Sequence, residues 1–429
     1  MAARLRASLV AIAAISAGAL AIADDATPAP LPRFANTASA APARAYSFCS
    51  GAHWSHSSYV TLLPTEDGPL LAVACADRVH VVRVSARHDG TIIADTLRSF
   101  VWTGYRDGDA PSAERPIAVD LESDGARDLV LPFRSNNRKP SNGGRGGRVH
   151  LAPIGPGLEW EETRAIARAQ VADVAAGDLM RSRGPELAIL DAGEPWADRD
   201  GHVLVTRNRA RRVARRHHDA GLGPTSIALG DRDGDGHADV LIASAALDQH
   251  GHLRVLRGDG RGGLELALDR AIDGGWRMEA GDLDGNGTID AVITGRSGTH
   301  VFRGALEDDP ERLDVDRVTY ALTTLDIGAD GRAEIAMRMP DESVALLGAI
   351  GDRLARVTFV RLPRGLVAQD IAIADLDGDG DLDAAITVFR RGAASHRELL
   401  LVPDVPTRRA LRAPRLSPLP TAPDRVDLP

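Results

Sequence analysis

The stretch GDRDGDGHADV, residues 230–240, sets Asp231, Asp233, Asp235 and Asp239 at positions one, three, five and nine of a loop broken by two glycines. Four carboxylates within one turn repel one another unless a cation screens them. Oxygen donors in a flexible, high-coordination loop suit calcium, whereas magnesium demands a tighter octahedron. Gly234 and Gly236 allow the backbone angles that wrap an ion. The same spacing returns in GDLDGNGTIDA, residues 281–291, and in ADLDGDGDLDA, residues 374–384.

An EF-hand loop would close with a bidentate glutamate at position twelve. Here position twelve is Ile242, Ile293 and Ile386, which also rules out a dockerin-type loop. Calcium-binding nonapeptide repeats would stand in tandem, and these loops lie about fifty residues apart. After position nine comes a short apolar run: VLIAS at 240–244, AVIT at 291–294 and AAITVF at 384–389. Runs of this length, rich in Val and Ile, read as buried strands rather than as helices leaving a loop. Each loop therefore joins strand to strand, as a hairpin built to hold calcium.

Weaker copies extend the series. IAVDLESDGARDLVL, residues 117–131, keeps Asp120, Glu122, Asp124 and Asp128. LDIGADGRAEIAM, residues 325–337, keeps Asp326, Asp330 and Glu334 but has Gly328 where a ligand belongs. AAGDLMRSRGPELAIL, residues 175–190, keeps only Asp178 and Glu186, and LLPTEDGPLLAVA, residues 62–74, only the turn and the strand after it. Between the loops a second signal recurs, the short apolar strands at 79–84, 148–154, 202–208, 252–258, 299–304, 343–348 and 398–403. A weaker fourth strand follows in places, as in GLELALDRAID at 263–273. One unit of about fifty residues is used seven times. Four antiparallel strands per unit, repeated radially, predict an all-β, seven-bladed β-propeller with calcium-binding hairpin loops.

The pattern of a small residue, then D-L/R-D-G-D/N-G-x-x-D, then an apolar strand, resembles the FG-GAP or VCBS repeats of bacterial secreted proteins, the repeat family that also builds the integrin α-subunit propeller. The resemblance covers roughly residues 45–418 and is strongest at 231, 282 and 375. It implies structural calcium at a blade edge, held by Asp231, Asp233, Asp235 and Asp239; by Asp282, Asp284, Asn286 and Asp290; and by Asp375, Asp377, Asp379 and Asp383. The position-seven carbonyls of His237, Thr288 and Asp381 would complete the shells, and Asp120, Glu122, Asp124 and Asp128 would form a fourth site. The departures at 62, 178 and 326 weaken the case for metal there, not for the blades.

Composition agrees. The 429 residues are 44% hydrophobic but only 4% aromatic, so the core must be Ala, Val, Leu and Ile; 43 glycines and 25 prolines favour turns over long helices. The net charge of −9 is smaller than the fifteen carboxylates at positions one, three, five and nine of the four loops, so the acidity belongs to the metal sites rather than to a surface for a cationic partner. MAARLR followed by ASLVAIAAISAGALAIA and Ala21-Ile22-Ala23 reads as a signal peptide over 1–23, and export to the periplasm or the medium follows. No later segment is apolar enough to span a membrane. In an exported chain Cys49 and Cys75 are expected to form a disulfide. Residues 24–44 read as an Ala/Pro linker and 419–429 as a Pro-rich tail.

Other stretches invite sharper readings and have blander ones. Arg257-Gly258-Asp259 spells the adhesion tripeptide, yet it sits in RGDGRGG, where turn chemistry accounts for it. The basic VTRNRARRVARRHH, residues 205–218, falls where an outer strand is due, and charge on an outer strand blocks edge-to-edge association. RSNNRKPSNGGRGGR, residues 134–148, is an inserted loop without a repeat equivalent, a candidate binding element. His53 with His56, and His217 with His218, lack companions at zinc-site spacing. No nucleophile elbow, phosphate loop or dinucleotide fingerprint occurs. The reading is a monomeric, exported binding module for an extracellular protein or glycan, with no nucleic acid as partner. The alternative is a polysaccharide-active enzyme, lyase-like, on the same scaffold.

Overall fold

The computed structural model describes residues 44–47 and 58–405, except 66, 76–77, 87–91, 102–110, 122, 124, 136–146, 156–158, 182–183, 194–199, 210–211, 246–250, 297, 305, 307, 314–321, 328–329, 340–342, 351–352 and 392. The expected signal peptide, most of the linker, the Pro-rich tail, Cys49, Glu122, Asp124, His53, His56 and most of the inserted loop lie outside the described residues. Among the described residues no helix is long and apolar enough to cross a membrane.

Seven antiparallel sheets form the seven blades of a propeller. The first runs Ser58–Leu63, Leu70–Cys75, Arg78–Ala86, Ile92–Val101, each strand paired with the next. In the second, the inner strand is in two pieces, Pro111–Ala113 and Ile117–Val119, both paired with Asp128–Ser135; Arg148–Ala152 and Arg164–Arg168 follow. The third is Val171–Gly177, Glu186–Asp191, Gly201–Arg209, Arg212–Gly221, and the fourth Pro224–Gly230, Asp239–Ser244, Gly251–Gly258, Leu264–Ile272. The fifth is Arg277–Gly281, Asp290–Gly295, Gly298–Phe302, Glu311–Leu313, and the sixth Leu322–Leu325, Glu334–Arg338, Ser343–Ile350, Arg353–Arg361.

The seventh blade closes the ring. Leu366–Ala374, Leu382–Arg390 and Ala393–Val405 supply three strands, and Arg44–Ser47 from the other end of the chain supplies the fourth. Arg44 pairs with Leu401 and Ser47 with Glu398. Tyr46 also donates its hydroxyl to the carbonyl of Ile92 in the first blade, at 2.8 Å.

Each hydrophobic cluster joins two neighbouring blades. Val60, Leu71 and Val82 of the first blade pack with Ala372 and Leu399 of the seventh. Ala188 and Val203 of the third meet Val240 and Ile242 of the fourth. With so few aromatics, the blades pack through small and branched aliphatics, and the second strands are buried on both faces, as in Asp239–Ser244 and Asp290–Gly295. Such strands read as continuous apolar runs rather than alternation. The basic stretch 205–218 forms the third blade's outer pair of strands, as its position in the repeat requires.

Candidate metal centres

The acidic loops link the first strand of a blade to its second, so they sit together at one end of the ring. In the fourth blade Asp231, Asp233 and Asp239 bring carboxylate oxygens within 4.8 Å of one another. Asp282, Asp284 and Asp290 do the same in the fifth, and Asp375, Asp377 and Asp383 in the seventh. Clustered hard oxygens on a glycine-broken turn fit a calcium-class ion. Gly234, Gly236, Gly285, Gly287, Gly378 and Gly380 all have positive φ, between 75° and 91°, as the wrap demands.

Position one organises the turn. Asp231 accepts from the amides of Gly234 and Gly236 at 2.8 Å each; Asp282 from Gly285, Asn286 and Gly287; Asp375 from Gly378 and Gly380. Position five makes an Asx-type turn with position seven: the amides of His237, Thr288 and Asp381 donate to Asp235, Asn286 and Asp379. Asp235 does not join the fourth-blade triad. It bonds Arg257 at 2.8 Å, and the same guanidinium reaches Asp233 at 3.0 Å. That hydrogen bond holds the Asp235 carboxyl below its usual range. Arg257 thus turns into its own blade's loop, while Asp259 accepts from the amides of Arg261 and Gly263. The adhesion-like tripeptide is the end of a strand and the start of the turn after it, with both charged side chains engaged. In the seventh blade Asp379 gathers instead with Asp381 and Asp404.

Position nine is different in kind. Asp239, Asp290 and Asp383 are buried, at 1%, 0% and 1% exposure. One oxygen accepts from the position-two amide, of Arg232, Leu283 and Leu376. The other accepts from an amide at the far end of the blade's third strand or just past it, of Gly258, Gly304 and Asp404. Burial pushes Asp290 up to about 6 and Asp383 up to about 7. In the second-blade loop Asp120 accepts from Gly125 and Asp128 from Leu121, at 3.0 and 3.1 Å.

Neighbouring loops are also chained. The amide of Ile289 donates to the carbonyl of Asp231, and that of Ala333 to the carbonyl of Asp282. This explains the glycine before position one: a Cβ on Gly230 would lie 2.6 Å from Ile289 Cγ2, and one on Gly281 2.8 Å from Ala333 Cβ.

A second polar cluster lies at the axis, where the inner strands meet, and the repeat pattern alone does not single it out. Arg115 of the second blade donates to Glu279 of the fifth at 2.5 Å, to Asp370 of the seventh at 2.7 Å and to the Leu322 carbonyl of the sixth at 3.4 Å. Arg277 pairs with Glu279 and, at 3.4 Å, with Asp173 of the third blade. Asp173 accepts from the hydroxyl of Ser226 in the fourth, at 2.8 Å. Asp370 accepts from the Val60 amide and Glu114 from the Tyr59 hydroxyl, both in the first blade. The sequence signal is one of register: Arg115, Asp173, Ser226, Arg277 and Asp370 each stand five residues before position one of their loop. A β-bulge immediately precedes Asp173, Ser226 and Asp370 and re-aims each of them.

Comparison with known proteins follows the same lines. A family model described as an FG-GAP-like repeat matches residues 231–293, from the fourth-blade loop through the fifth. A search of curated proteins finds no match. Among solved structures, BBS1N in complex with ARL6DN superposes with a TM-score of 0.53 at 10% identity, over 83% of this chain and 94% of that one. An Agrocybe aegerita lectin specific for non-reducing terminal N-acetylglucosamine gives 0.44 at 15% identity, over 70% and 80%. A Bacillus licheniformis rhamnogalacturonan lyase gives 0.41 at 12%, over 87% and 74%. At these identities the likeness is one of fold. The repeat match, set within a ring of seven four-stranded blades, makes this chain an FG-GAP repeat β-propeller.

Proposed function

We propose that the chain is an exported propeller, stabilised by calcium, that binds a protein or glycan and performs no chemistry on it. Calcium would be held by the triads at 231, 282 and 375 with their position-five and position-seven partners, and by a fourth set at Asp120, Glu122, Asp124 and Asp128. The observation carrying this reading is that the clustered acids are already committed. Those of the loops organise their own hairpins, and at the axis Asp173, Glu279 and Asp370 pair with the buried guanidiniums of Arg115 and Arg277. A carboxylate that faces an ion, or that lies at the axis with less than a tenth of its surface exposed, is poorly placed to exchange a proton with a ligand.

Ligand contact then falls to the end of the ring opposite the acidic loops. There the second-to-third strand connections emerge, including the insertion between Ser135 and Arg148. Trp276, 43% exposed, stands at the same end, one residue before the inner strand of the fifth blade. A half-exposed indole offers a flat apolar face with a polar edge, suited to a sugar ring or a peptide. We also propose that Cys49 bridges Cys75, the buried last residue of the first blade's second strand, and so fastens the closing strand to that blade.

The test is a glycan array and a panel of extracellular proteins, probed with the wild type, with a chain lacking 136–146, and with Trp276→Ala. Loss of capture with unchanged calcium-dependent melting is expected. Turnover of an anionic polysaccharide, abolished by replacing one carboxylate or histidine outside the loops, would establish the enzyme reading instead.

A further inference from the structure

The axis cluster joins groups from every blade, and its charges do not balance. Two guanidiniums, Arg115 and Arg277, bond three carboxylates, Asp173, Glu279 and Asp370, and a fourth carboxyl, Glu114, lies near Asp173 with Arg134 as its nearby positive charge. All six side chains are less than a tenth exposed. Buried charge in surplus is costly unless something neutralises it. None of the four carboxylates falls in an acidic group compact enough to hold a metal ion among the described residues. Two guanidinium Nε–H groups, of Arg115 and Arg277, and the hydroxyl of Thr323 find no hydrogen-bond partner among the described residues.

We infer that the axis of the ring is closed by a proton-holding ionic lock, two guanidiniums shared among three carboxylates with a fourth carboxyl, Glu114, beside them, which ties all seven blades together and slackens as the pH rises. The partners of each group are few and specific. Glu114 faces the Tyr59 hydroxyl and the charges of Arg134 and Asp173. Asp173 faces Arg115, Arg277 and Glu279; Glu279 faces Arg115 and Arg277; Asp370 faces Arg115 and Glu279. Arg115 is the keystone, since from the second blade it bonds the fifth, sixth and seventh at once. Neighbouring blades already share apolar clusters; the lock also joins blades that are not neighbours.

Burial pushes Glu114 up to about 7 and Asp173 up to about 6, against the pull of nearby guanidiniums, and it raises Glu279 and Asp370 as well. The folded ring therefore holds protons that the unfolded chain would release. For carboxylates raised in this way the stabilisation is complete below the unfolded values near 4 and is lost as the pH rises through 6 to 7. Tightening in mild acid is opposite to the usual behaviour of ion-paired carboxylates.

The experiment is melting of the full chain in saturating calcium between about pH 5 and about pH 8.5. Wild type is compared with Glu114→Gln, which keeps an acceptor for Tyr59 but cannot titrate. The quantity read is the difference between the two profiles, so titrations elsewhere cancel. Glu114→Gln is expected to gain on the wild type as the pH rises, by about 2 °C across the range. A difference that stays flat, or that runs the other way, overturns the inference. Arg115→Met is expected to melt lower than wild type, and by more at the alkaline end than at the acid end; an equal deficit at both ends also overturns it. If Arg115→Met does not fold, the Glu114→Gln difference decides.

Discussion

The loops of the fourth, fifth and seventh blades and those of the third and sixth share a skeleton but not a set of donors. All five keep an acid at position nine, as Asp239, Asp290 and Asp383 in the first group and Glu186 and Glu334 in the second. In all five the position-two amide donates to it: Arg232, Leu283, Leu376, Leu179 and Ile327. What the second group lacks is position three, where Met180 and Gly328 stand in place of Asp. In all five the position-nine carboxylate thus serves the hairpin; in the calcium reading proposed above, position three would serve the ion. Under that reading a repeat could lose its metal and keep its blade, because the two jobs would belong to different positions.

Removing the ion should give the largest effect. Chelation should lower the melting temperature and calcium should restore it, each site contributing about 2.7 kcal/mol when calcium stands at a hundred times its dissociation constant. Equal melting with and without chelator would remove the ion from the comparison altogether. A stabiliser outside the loops sets the scale: a Cys49–Cys75 bridge should contribute about 3–4 kcal/mol in the chain-entropy model, equally with and without calcium. Two alkylated cysteines in the native, unreduced protein would dismiss it.

The next two predictions test the division of labour itself. Asp290→Ala strands the buried amide of Leu283 and the half-buried amide of Gly304, and should cost about 2–3 kcal/mol even in chelator. Glu334→Ala strands the amide of Ile327 and should cost about 1–2 kcal/mol, with no dependence on calcium. Asp284→Asn should do least: it should weaken the response to calcium, read by calorimetric titration, and leave melting in chelator almost where it was. If Asp284→Asn and Asp290→Ala are equally harmful in chelator, positions three and nine are not distinct.

Much of this architecture was legible in the sequence. The seven units, their hairpins and the third strands fall where the fifty-residue period placed them, because glycine turns and continuous Val/Ile runs mark a twice-buried strand unambiguously. Arg44–Ser47 gave no signal, because four residues in an Ala/Pro context are too short to show a period. The dual contact of position nine gave none either, because its second partner, such as Gly304 for Asp290, is distant along the chain. The axis charges sat in plain view at a fixed register, but a charge within an inner strand gains meaning only when opposite blades are brought together. Arg257 was readable as part of a turn, and its grip on Asp233 and Asp235 was not.

The closing strand has a consequence for how the molecule comes into being. Arg44 finds its partner in Leu401, so the pairing with the highest sequence separation is the one that seals the circle. Contacts of that kind are slow to form, because a long chain must be drawn together before they yield anything. As the polypeptide is synthesised, six blades can stack in order while the seventh still lacks an edge. The seam is thus the last thing made, and until then its open edge is a place where another chain could pair. A circular permutant with new ends between two blades would move the seam without changing a contact, and would separate the order of assembly from the stability of the finished ring.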